Sequence, residues 1–535
     1  MGMNRVFKKD PTHGLFRIPT KEERIKLRAG APLNPLKVLC IPGLMEWLWF
    51  LGGLFAWIMD AYDFFSVSMS VTKLVTTFFP TIRDGTPEYD DKVKQVNYSI
   101  MLTLLFRPLG AVIFGILADR LGRRWILSVN LLIVAALSIG TAYCEQYGSF
   151  LGVRCIFGIG MGGIWGMATA TALENMKPAA RGLFSGILQQ GYAMGYLIAA
   201  GVNLGWANKT MYQGEEGNWR VLFYLGAGLS LAAAIVRALL PESPIFIEQQ
   251  RLRKLQPVAK NPALHFLKEL GQMLKKEWMM CIYAVLLMTG FNFFSHSSQD
   301  LYPTMLQKAK LLTADQSSTA TIISNCGAIT GGLIAGYVSQ YTGRRIAMII
   351  FIIIGGAMVP AWILPDSFGG LAAGGFFVQV GVQGAWGVIP VYLTEISPAA
   401  FRATFPGVAY QLGNMASSAS STIETTGGNN IRIPDPKHPG ETIADTATVS
   451  AILLGCVAGY LLILVVFGVE SDREIKVCDD DPHAKSANEV LLRREMNDIE
   501  AAANGPNPEL AYVNDKELYE HVNGVPISDT KKEIA

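Results

Sequence analysis

The sequence predicts an all-α membrane protein in which twelve transmembrane helices form two pseudo-symmetric six-helix bundles. Three observations support this prediction: an apolar composition, twelve apolar segments long enough to cross a bilayer, and an internal repeat. Of the 535 residues, 50% are hydrophobic and 16% are charged, whereas a soluble domain carries about 25% charged residues. The composition therefore excludes a cytosolic enzyme, a disordered protein and a secreted module.

The net charge and the cysteines exclude two further classes of protein. A formal net charge of +2 gives no basis for a nucleic-acid partner. The seven cysteines lie mostly singly inside apolar runs, and no spacing among them is typical of a zinc site or a disulfide framework. We therefore expect no metal centre, and we interpret the cysteines as small core residues.

Apolar segments divide the chain into membrane and water-exposed parts. A membrane-spanning helix needs about 20 mostly apolar residues. Twelve segments meet this requirement, at about 46–70, 98–118, 125–144, 150–173, 183–205, 219–240, 279–305, 318–338, 346–364, 370–393, 404–424 and 448–469. The predicted divisions are an N-terminal segment, an N-terminal bundle, a middle loop, a C-terminal bundle and an acidic tail, at 1–43, 44–240, 241–278, 279–470 and 471–535.

The loop charges determine the expected orientation. Every second loop is basic, as at Arg123 and Arg344, while the intervening loops are neutral or acidic, as at Asp84. Because Lys and Arg concentrate on the cytosolic side of a membrane, we expect both termini to be cytosolic. Within the tail, Ser486–Ala503 could form a short amphipathic helix. The alternative is a mobile solvated tail, and signals for traffic or turnover machinery could lie there.

The two halves of the chain repeat each other at a shift of 221 residues, the separation of Arg123 from Arg344. Four segments share this shift: Gly115–Arg124 matches Gly336–Arg345, Gly163–Gly166 matches Gly384–Gly387, Glu174–Arg181 matches Glu395–Arg402, and Gln190 matches Gln411. So many matches at one shift indicate a duplicated six-helix unit.

Two parallel units of this kind resemble the major facilitator superfamily, and the run G-x-x-x-D-R-x-G-R-R that ends at Arg124 resembles its most specific motif. The resemblance covers about residues 44–470. It implies that Asp119 latches the halves in the outward-facing state, and that a latch at Gln340, which replaces the acid in the second copy, is weaker. The alternative is that these charges only set the topology. The implied gate residues are Asp119, Arg123, Glu174, Arg181, Arg344, Glu395 and Arg402.

Ionisable residues at bilayer depth are candidates for function, because each costs roughly 2.5–3.5 kcal/mol to insert. The candidates are Asp60, Asp63, Arg107, His296 and Asp300. Arg107 lies about 12 Å above the loop that follows Gly115, and its guanidinium fits a carboxylate in two-point fashion. It either binds an anionic substrate or pairs with Asp60 or Asp63, and the two roles could alternate. The two aspartates are also possible coupling residues.

The seventh segment carries a dense polar run inside an apolar helix. Asn292, His296 and Gln299 follow at i, i+4 and i+7 and therefore share one face. Asp300 lies one turn beyond His296, whose imidazole titrates near physiological pH and could exchange a proton with it. Pro303 is expected to bend the outer end of the helix.

This run, N-x-x-S-H-x-S-Q-D-x-x-x-T, resembles the signature of the fungal Jen-type lactate and pyruvate:proton symporters of the sialate:proton symporter family. The resemblance implies uptake of short-chain mono- or dicarboxylates across the plasma membrane by a functional monomer, driven by the proton gradient without a cofactor. It places substrate affinity and proton coupling at Asn292, Ser295, His296, Ser298, Gln299, Asp300 and Thr304.

Gln190 and Gln411 occupy matching repeat positions in helices that face the central cavity of this fold. Both could donate hydrogen bonds to substrate oxygens. An interhelical hydrogen bond is an equal alternative for Gln190. The polar neighbours Tyr410 and Asn414 favour a substrate role for Gln411.

The predicted function is therefore proton-coupled symport of short-chain carboxylates such as lactate, pyruvate or acetate, and not enzymatic catalysis. The partners are the carboxylate anion, the proton and the lipid bilayer. No G-x-x-x-x-G-K-[ST] loop indicates an ATPase. Three alternatives stay open: a dicarboxylate symporter for succinate or malate, a sugar or inorganic-anion carrier, and a carboxylate sensor that binds without transporting.

Overall fold

The computed structural model describes residues 31–82, 87–203, 206, 219–255, 262–434, 442–469 and 471. Within these residues the chain forms twelve spans, numbered in chain order, of which spans 1–6 make up the N half and spans 7–12 the C half. Spans 1–6 are Leu44–Phe78; Pro87–Leu121; Arg123–Ala142; Tyr147–Gly162 with Ile164–Glu174; Arg181–Gln189 with Gly191–Val202; and Arg220–Leu239. Spans 7–12 are Pro262–Gln299 with Tyr302–Lys308; Ala314–Thr342; Arg344–Ala357 with Val359–Ile363; Phe368–Ile396; Thr404–Ser417 with Ser420–Asn430; and Thr446–Phe467.

Nine helices in the described part of the chain are long and apolar enough to cross a membrane. The other three spans, 5, 9 and 11, are each divided into two shorter helices, whereas the sequence predicts continuous segments there. The divisions lie at Gln190, at Met358 and at Ser418–Ala419. In span 9 the cause is Pro360 at the start of the second helix, because proline has no backbone N–H to continue the first.

Span 7 also differs from its prediction. The helix ends at Gln299 and a second helix begins at Tyr302 with Pro303 in its first turn, so the predicted bend is a complete break. Proline is well accommodated at this position, where its missing N–H would have no partner in the helix. The break turns Thr304 away from the rest of the polar run and leaves it exposed.

Several elements lie outside the spans. Pro35–Leu39 and Pro244–Leu255 are short helices, Ala399–Phe401 is a 3₁₀ turn, and Arg432–Pro434 pairs antiparallel with Thr442–Ala444. The helix of span 7 begins at Pro262 and kinks at Glu277, so part of the predicted middle loop is helical. Hydropathy does not detect such polar helical turns. The predicted residues before 31, Asp84 and Ser486–Ala503 lie outside the described residues.

The repeat is visible in the backbone at the end of spans 2 and 8. Gly122 has a φ of +107° and Gly343, its repeat partner, a φ of +106°. This region of φ favours glycine, so the same turn leads into spans 3 and 9. We call the end of the bundle that carries Gly122–Arg124 and Gly343–Arg345 the basic end, and the other the opposite end.

The most extensive contacts between the two halves pair span 2 with span 11 and span 5 with span 8, and spans 4 and 5 also contact span 10. Their backbones approach closely there: a Cβ added at Gly186 of span 5 would lie 2.3 Å from the carbonyl oxygen of Gly332 in span 8. Apolar side chains cover the outer surface of the bundle, among them the exposed Ile113, Ile133 and Ile353. Such an extensive exposed apolar surface indicates contact with lipid.

Candidate functional site

A central cavity lies between the two halves, and both contribute to its wall. The N half supplies one cation and one amide together with aromatic and aliphatic side chains, and the C half supplies mostly polar side chains. The lining residues are Phe64, Leu104, Arg107, Gln189, Tyr192, Asn292, Ser295, His296, Gln383, Trp386, Tyr410 and Asn414.

Arg107 of span 2 is the cation of the N half. Its Nη1 lies 3.6 Å from Asp60 Oδ2 of span 1, and both side chains are almost fully buried. The guanidinium also lies over the ring of Phe64, 5.3 Å from the centroid. Neither Asp60 Oδ1 nor Arg107 Nε has a hydrogen-bond partner among the described residues. The pair is therefore loose, and each partner keeps an unused polar atom.

The second predicted aspartate lies off the wall. Asp63 accepts hydrogen bonds from Ser138 at 3.2 Å and from Ser230 at 3.1 Å. The buried Arg154 of span 4 attracts the Asp63 carboxylate electrostatically, and its guanidinium lies over the ring of Phe157. Of the two predicted partners, Asp60 is therefore the one that the structure brings to Arg107.

His296 of span 7 stands on the C-half wall with an acceptor at each ring nitrogen. Nδ1 lies 3.1 Å from Asp300 Oδ2, and Nε2 lies 3.2 Å from Asn414 Oδ1. Asp300 is partly exposed and also accepts from Ser421 of span 11 at 3.2 Å. An imidazole can satisfy two acceptors only when both ring nitrogens carry hydrogen. This geometry therefore suits an imidazolium.

A chain of amides fixes the orientation of Asn414. Asn414 Nδ2 donates to Gln411 Oε1 at 3.3 Å, and Gln411 Nε2 donates to the carbonyl oxygen of Gly162 at 3.4 Å. A backbone carbonyl can only accept a hydrogen bond, so the amide nitrogen of Gln411 must face Gly162 and its oxygen must face the amide nitrogen of Asn414. The oxygen of Asn414 is therefore left to face His296. Gly162, the acceptor at the end of this chain of hydrogen bonds, belongs to the N half.

The polar run of span 7 is divided among three environments. Asn292, Ser295 and His296 line the cavity. Ser298 and Gln299 instead bind Gln379 of span 10, at 3.0 and 2.8 Å. Asp300 does not line the cavity but contacts His296, which does, and Thr304 lies beyond the helix break. Helical spacing alone could not reveal this division, because it depends on where the helix ends and on the facing span.

The two glutamines of the repeat do not line the cavity. Gln411 is buried in the amide chain, and Gln190 packs against Gly332 of span 8. The wall glutamines are Gln189 and Gln383, which the sequence analysis missed. The helix break at Gln190 explains the first difference, because a shift of one residue turns a side chain by about 100°. An isolated amide in the apolar span 10 was the available signal for Gln383.

Two tryptophans related by the repeat enclose Tyr410 on the side of the cavity that faces the basic end. Trp165 of span 4 stacks on Tyr410 at 4.6 Å between ring centroids, and Trp386 of span 10 meets it edge-on at 5.8 Å. Trp386 Nε1 donates to the carbonyl oxygen of Phe291 at 3.0 Å. These rings separate the cavity from the basic end.

Asp119 joins the two halves at the basic end. Its carboxylate accepts from the backbone N–H groups of Ala403 at 3.0 Å and Thr404 at 2.8 Å, and from Thr404 Oγ1 at 2.8 Å. These bonds cap the first helix of span 11, whose leading N–H groups have no partner inside the helix. The equivalent Gln340 donates to the carbonyl oxygen of Pro178 at 3.1 Å.

The other predicted gate residues form buried polar pairs at the same end. Glu174 binds Arg123 of its own half and Arg402 of the C half, the latter at 3.1 Å. Arg344 and Glu395 pair at 2.9 Å within the C half. Arg181 Nε donates to the carbonyl oxygen of Met176 at 2.8 Å. The cavity is therefore closed at the basic end.

Comparison with known proteins identifies a transporter family. The family model for sugar (and other) transporters matches residues 49–256 and 278–471. A carboxylic acid transporter protein homolog of Saccharomyces cerevisiae is 34% identical over 450 residues, covering 82% of this chain and 70% of the relative. The niacin transporter NiaP of Acinetobacter baylyi is 24% identical, covering 71% of this chain and 86% of the relative. The cis,cis-muconate transport protein of the same species is 27% identical, covering 60% and 76%.

Solved structures share the fold. The major facilitator superfamily proton:xylose symporter XylE, bound to 6-bromo-6-deoxy-D-glucose, aligns with a TM-score of 0.62 at 18% identity, covering 79% of this chain and 95% of that one. The human organic anion transporter MFSD10 aligns with a TM-score of 0.55 at 14% identity, covering 79% and 99%. The predicted fold class, twelve helices in two pseudo-symmetric bundles, is confirmed.

Proposed function

The chain belongs to the family of sugar (and other) transporters, and on that premise we propose that it is a plasma-membrane symporter that takes up a small carboxylate together with a proton. The observation that carries this proposal is the cavity with a permanent cation, Arg107, on the N-half wall and a titratable group, His296, on the C-half wall. The names of the carboxylic acid and muconate relatives support a carboxylate as the substrate class.

Arg107 is proposed to bind the substrate carboxylate. A guanidinium offers a planar set of donors that matches a carboxylate in two-point fashion. At 3.6 Å, Asp60 holds only one edge of this group. A substrate that takes over Arg107 leaves Asp60 without its cation, so Asp60 then becomes a site where a proton can bind. Substrate and proton binding are thereby linked in the N half.

His296 is proposed to supply the second link. In its imidazolium form it attracts the anion from the wall facing Arg107, and Asp300 stabilises the charge from behind. A neutral imidazole would remove this attraction. Anion binding and protonation of His296 therefore favour each other, which is the thermodynamic requirement for symport.

The membrane potential makes a co-transported proton necessary for accumulation. An anion that enters a cell with a negative interior is opposed by about 2.3 kcal/mol per charge per 100 mV. One proton cancels this charge and adds the pH gradient to the driving force.

The closed basic end supports alternating access. We propose that this end faces the cytosol, together with both termini, because arginines are concentrated there. Asp119 and the Glu174–Arg402 pair hold the halves together at that end. Substrate would then enter from the opposite end, and release into the cytosol would require these contacts to break.

A dicarboxylate is the second candidate substrate, because two cationic groups on opposite walls could each hold one carboxylate. A competition experiment distinguishes the candidates. Purified protein in proteoliposomes takes up labelled lactate at acidic outside pH, with unlabelled lactate, succinate, malate, lactamide or xylose as competitors. Competition by lactate but not lactamide or xylose supports a carboxylate site, and stronger competition by succinate or malate indicates a dicarboxylate. Competition by xylose alone would contradict the proposal.

A further inference from the structure

Besides Asp60 and Asp300, a further acid, Glu424, lies in the part of span 11 that is nearer the opposite end of the bundle. It does not line the cavity. Glu424 is fully buried, although it stands in the half of the span that leads towards the opposite end. Its Oε1 accepts from Ser420 Oγ at 3.0 Å, one turn earlier in the helix. Its Oε2 accepts from Ser450 Oγ of span 12 at 2.9 Å. The carboxyl group therefore links spans 11 and 12 through two hydroxyls.

Glu424 has no ion pair among the described residues. The charged or titratable groups that face it are Asp300 and His296, both from span 7, while span 12 faces it with Ser450. Asp300 already neutralises His296, so one imidazolium stands against two acids. A buried carboxylate without a cation is unfavourable, because the interior does not replace its hydration. The two serine hydroxyls supply hydrogen bonds but no positive charge, so the ionised form of Glu424 is not neutralised by them.

The serine hydroxyls accommodate both charge states of the group. A hydroxyl can donate or accept a hydrogen bond. Both serines donate to the ionised carboxylate, whereas one of them can turn to accept from the acid O–H when a proton is bound. The site can therefore take up and release a proton without a change in the packing of span 12.

We infer that Glu424 is a second proton-binding site of this transporter, in addition to His296, and that it must be protonated before the substrate anion binds. Hydronium from the solvent at the opposite end transfers its proton to Glu424 Oε1 or Oε2, leaving water and a neutral carboxylic acid. The partly exposed Asp300 and its partner Ser421 form the polar route from that solvent. The link to the anion rests on the proposed function, whereas the proton site itself does not.

The linkage follows from charge. With Glu424 protonated, the Asp300–His296 pair is neutral overall, and the anion meets an imidazolium whose charge only Asp300 opposes. With Glu424 ionised, a second negative charge stands behind His296 and weakens its attraction for the anion. Each anion bound therefore requires about one proton at Glu424, in addition to any proton taken up at His296.

The proton site is tested first without substrate, by infrared difference spectroscopy of the purified full-length protein between acidic and alkaline pH. The wild type should show the carbonyl stretch of a protonated carboxyl group that is lost at alkaline pH. Glu424→Gln keeps the size and polarity of the neutral acid and should remove one component of this signal, while the components of other carboxyl groups remain. Glu145→Gln, a change of an exposed acid, should keep the signal and serves as the control. An unchanged signal in Glu424→Gln would overturn the inference.

The link to the anion is tested by lactate binding across pH, followed by tryptophan fluorescence. In the wild type the affinity should decrease as pH rises, and in Glu424→Gln the slope of log Kd against pH should decrease by about one. An unchanged slope would contradict the link. If the wild type binds no carboxylate at any pH, the proposed function fails and the infrared signal alone decides the proton site.

If Glu424→Gln does not fold, Ser450→Ala replaces it. This variant keeps the acid and removes one donor that stabilises its ionised form. The acid signal should then persist to higher pH than in the wild type. The same midpoint in both proteins would overturn the inference.

Discussion

The N and C halves of this transporter preserve the same backbone at the basic end but differ in how they carry charge inside the membrane. The N half holds buried aspartates together with buried arginines, Asp60 with Arg107 and Asp63 with Arg154. The C half holds amides, hydroxyls, the pair of His296 with Asp300 and one further acid, Glu424, which has no cation paired with it among the described residues. After duplication, the turn at Gly122 and Gly343 stayed the same, while the cavity sides diverged.

This difference indicates a division of labour. An arginine stays charged at any physiological pH, so Arg107 can attract an anion at all times, but its charge does not change with pH. Imidazole and carboxyl groups change charge, so the C half can make binding depend on protons. The proposed symport needs both properties in one cavity, which Arg107 and His296 line from different halves.

Replacing the permanent cation should have the largest effect. Arg107→Lys keeps the charge but loses the planar donor set, and we expect lactate binding to weaken by about 10- to 100-fold, as for the loss of a charge-assisted hydrogen bond. Isothermal titration of the purified protein measures this change, and Arg432→Lys, in the exposed hairpin, is the control. Near-normal affinity in Arg107→Lys would remove Arg107 from the binding site.

Changes to the titratable side should affect coupling more than binding. His296→Ala should weaken lactate affinity by about tenfold, the value of one hydrogen bond to a charged group, and flatten the pH dependence of uptake. Asp300→Asn should reduce accumulation more than the exchange of labelled for unlabelled substrate, because exchange needs no net proton movement. Uptake and exchange are compared in the same proteoliposomes. A steep pH dependence and full accumulation in His296→Ala would move coupling to Asp60 or Glu424.

The two copies of the gate offer a matched comparison at the basic end. The Asp119 carboxylate accepts from the backbone of the facing span, whereas Gln340 carries no charge and donates to the carbonyl oxygen of Pro178. We expect Asp119→Asn to open this end more than Gln340→Ala does. Distances between spin labels on spans 2 and 11 report the opening. Equal or reversed effects would show that the charge of Asp119 does not set the closed state.

The smallest effect is expected from the repeat glutamines. Gln411→Ala interrupts the order of donors that directs Asn414 towards His296, and should weaken lactate binding by about fivefold, or roughly 1 kcal/mol, as for the loss of one neutral hydrogen bond. Gln190→Ala should change it less than twofold, because this side chain lies off the cavity wall. The same isothermal titration measures both variants, and a larger loss of affinity in Gln190→Ala would contradict the assigned role of Gln411.

Hydropathy and the repeat were sufficient to predict the twelve spans, because lipid contact requires long apolar helices. The cavity was predicted less completely. Arg107 and His296 were found because charge is rare at bilayer depth. Gln189 was missed because the break at Gln190 changes which neighbour faces inward, and breaks leave no signal in hydropathy. Gln299 was assigned to the site from its helical spacing and from the resemblance of the polar run. Its partner on span 10, Gln379, could not be anticipated because it is distant in sequence.

Proton-driven accumulation of lactate is the most direct measurement of proton-coupled carboxylate symport. Purified protein is placed in proteoliposomes with the membrane potential clamped at zero by a potassium ionophore, and labelled lactate uptake is measured with and without an inward proton gradient. We predict that lactate accumulates above its outside concentration only when the gradient is present, and that a proton ionophore abolishes the accumulation. Equilibration to the same level with and without the gradient would contradict proton-coupled carboxylate symport.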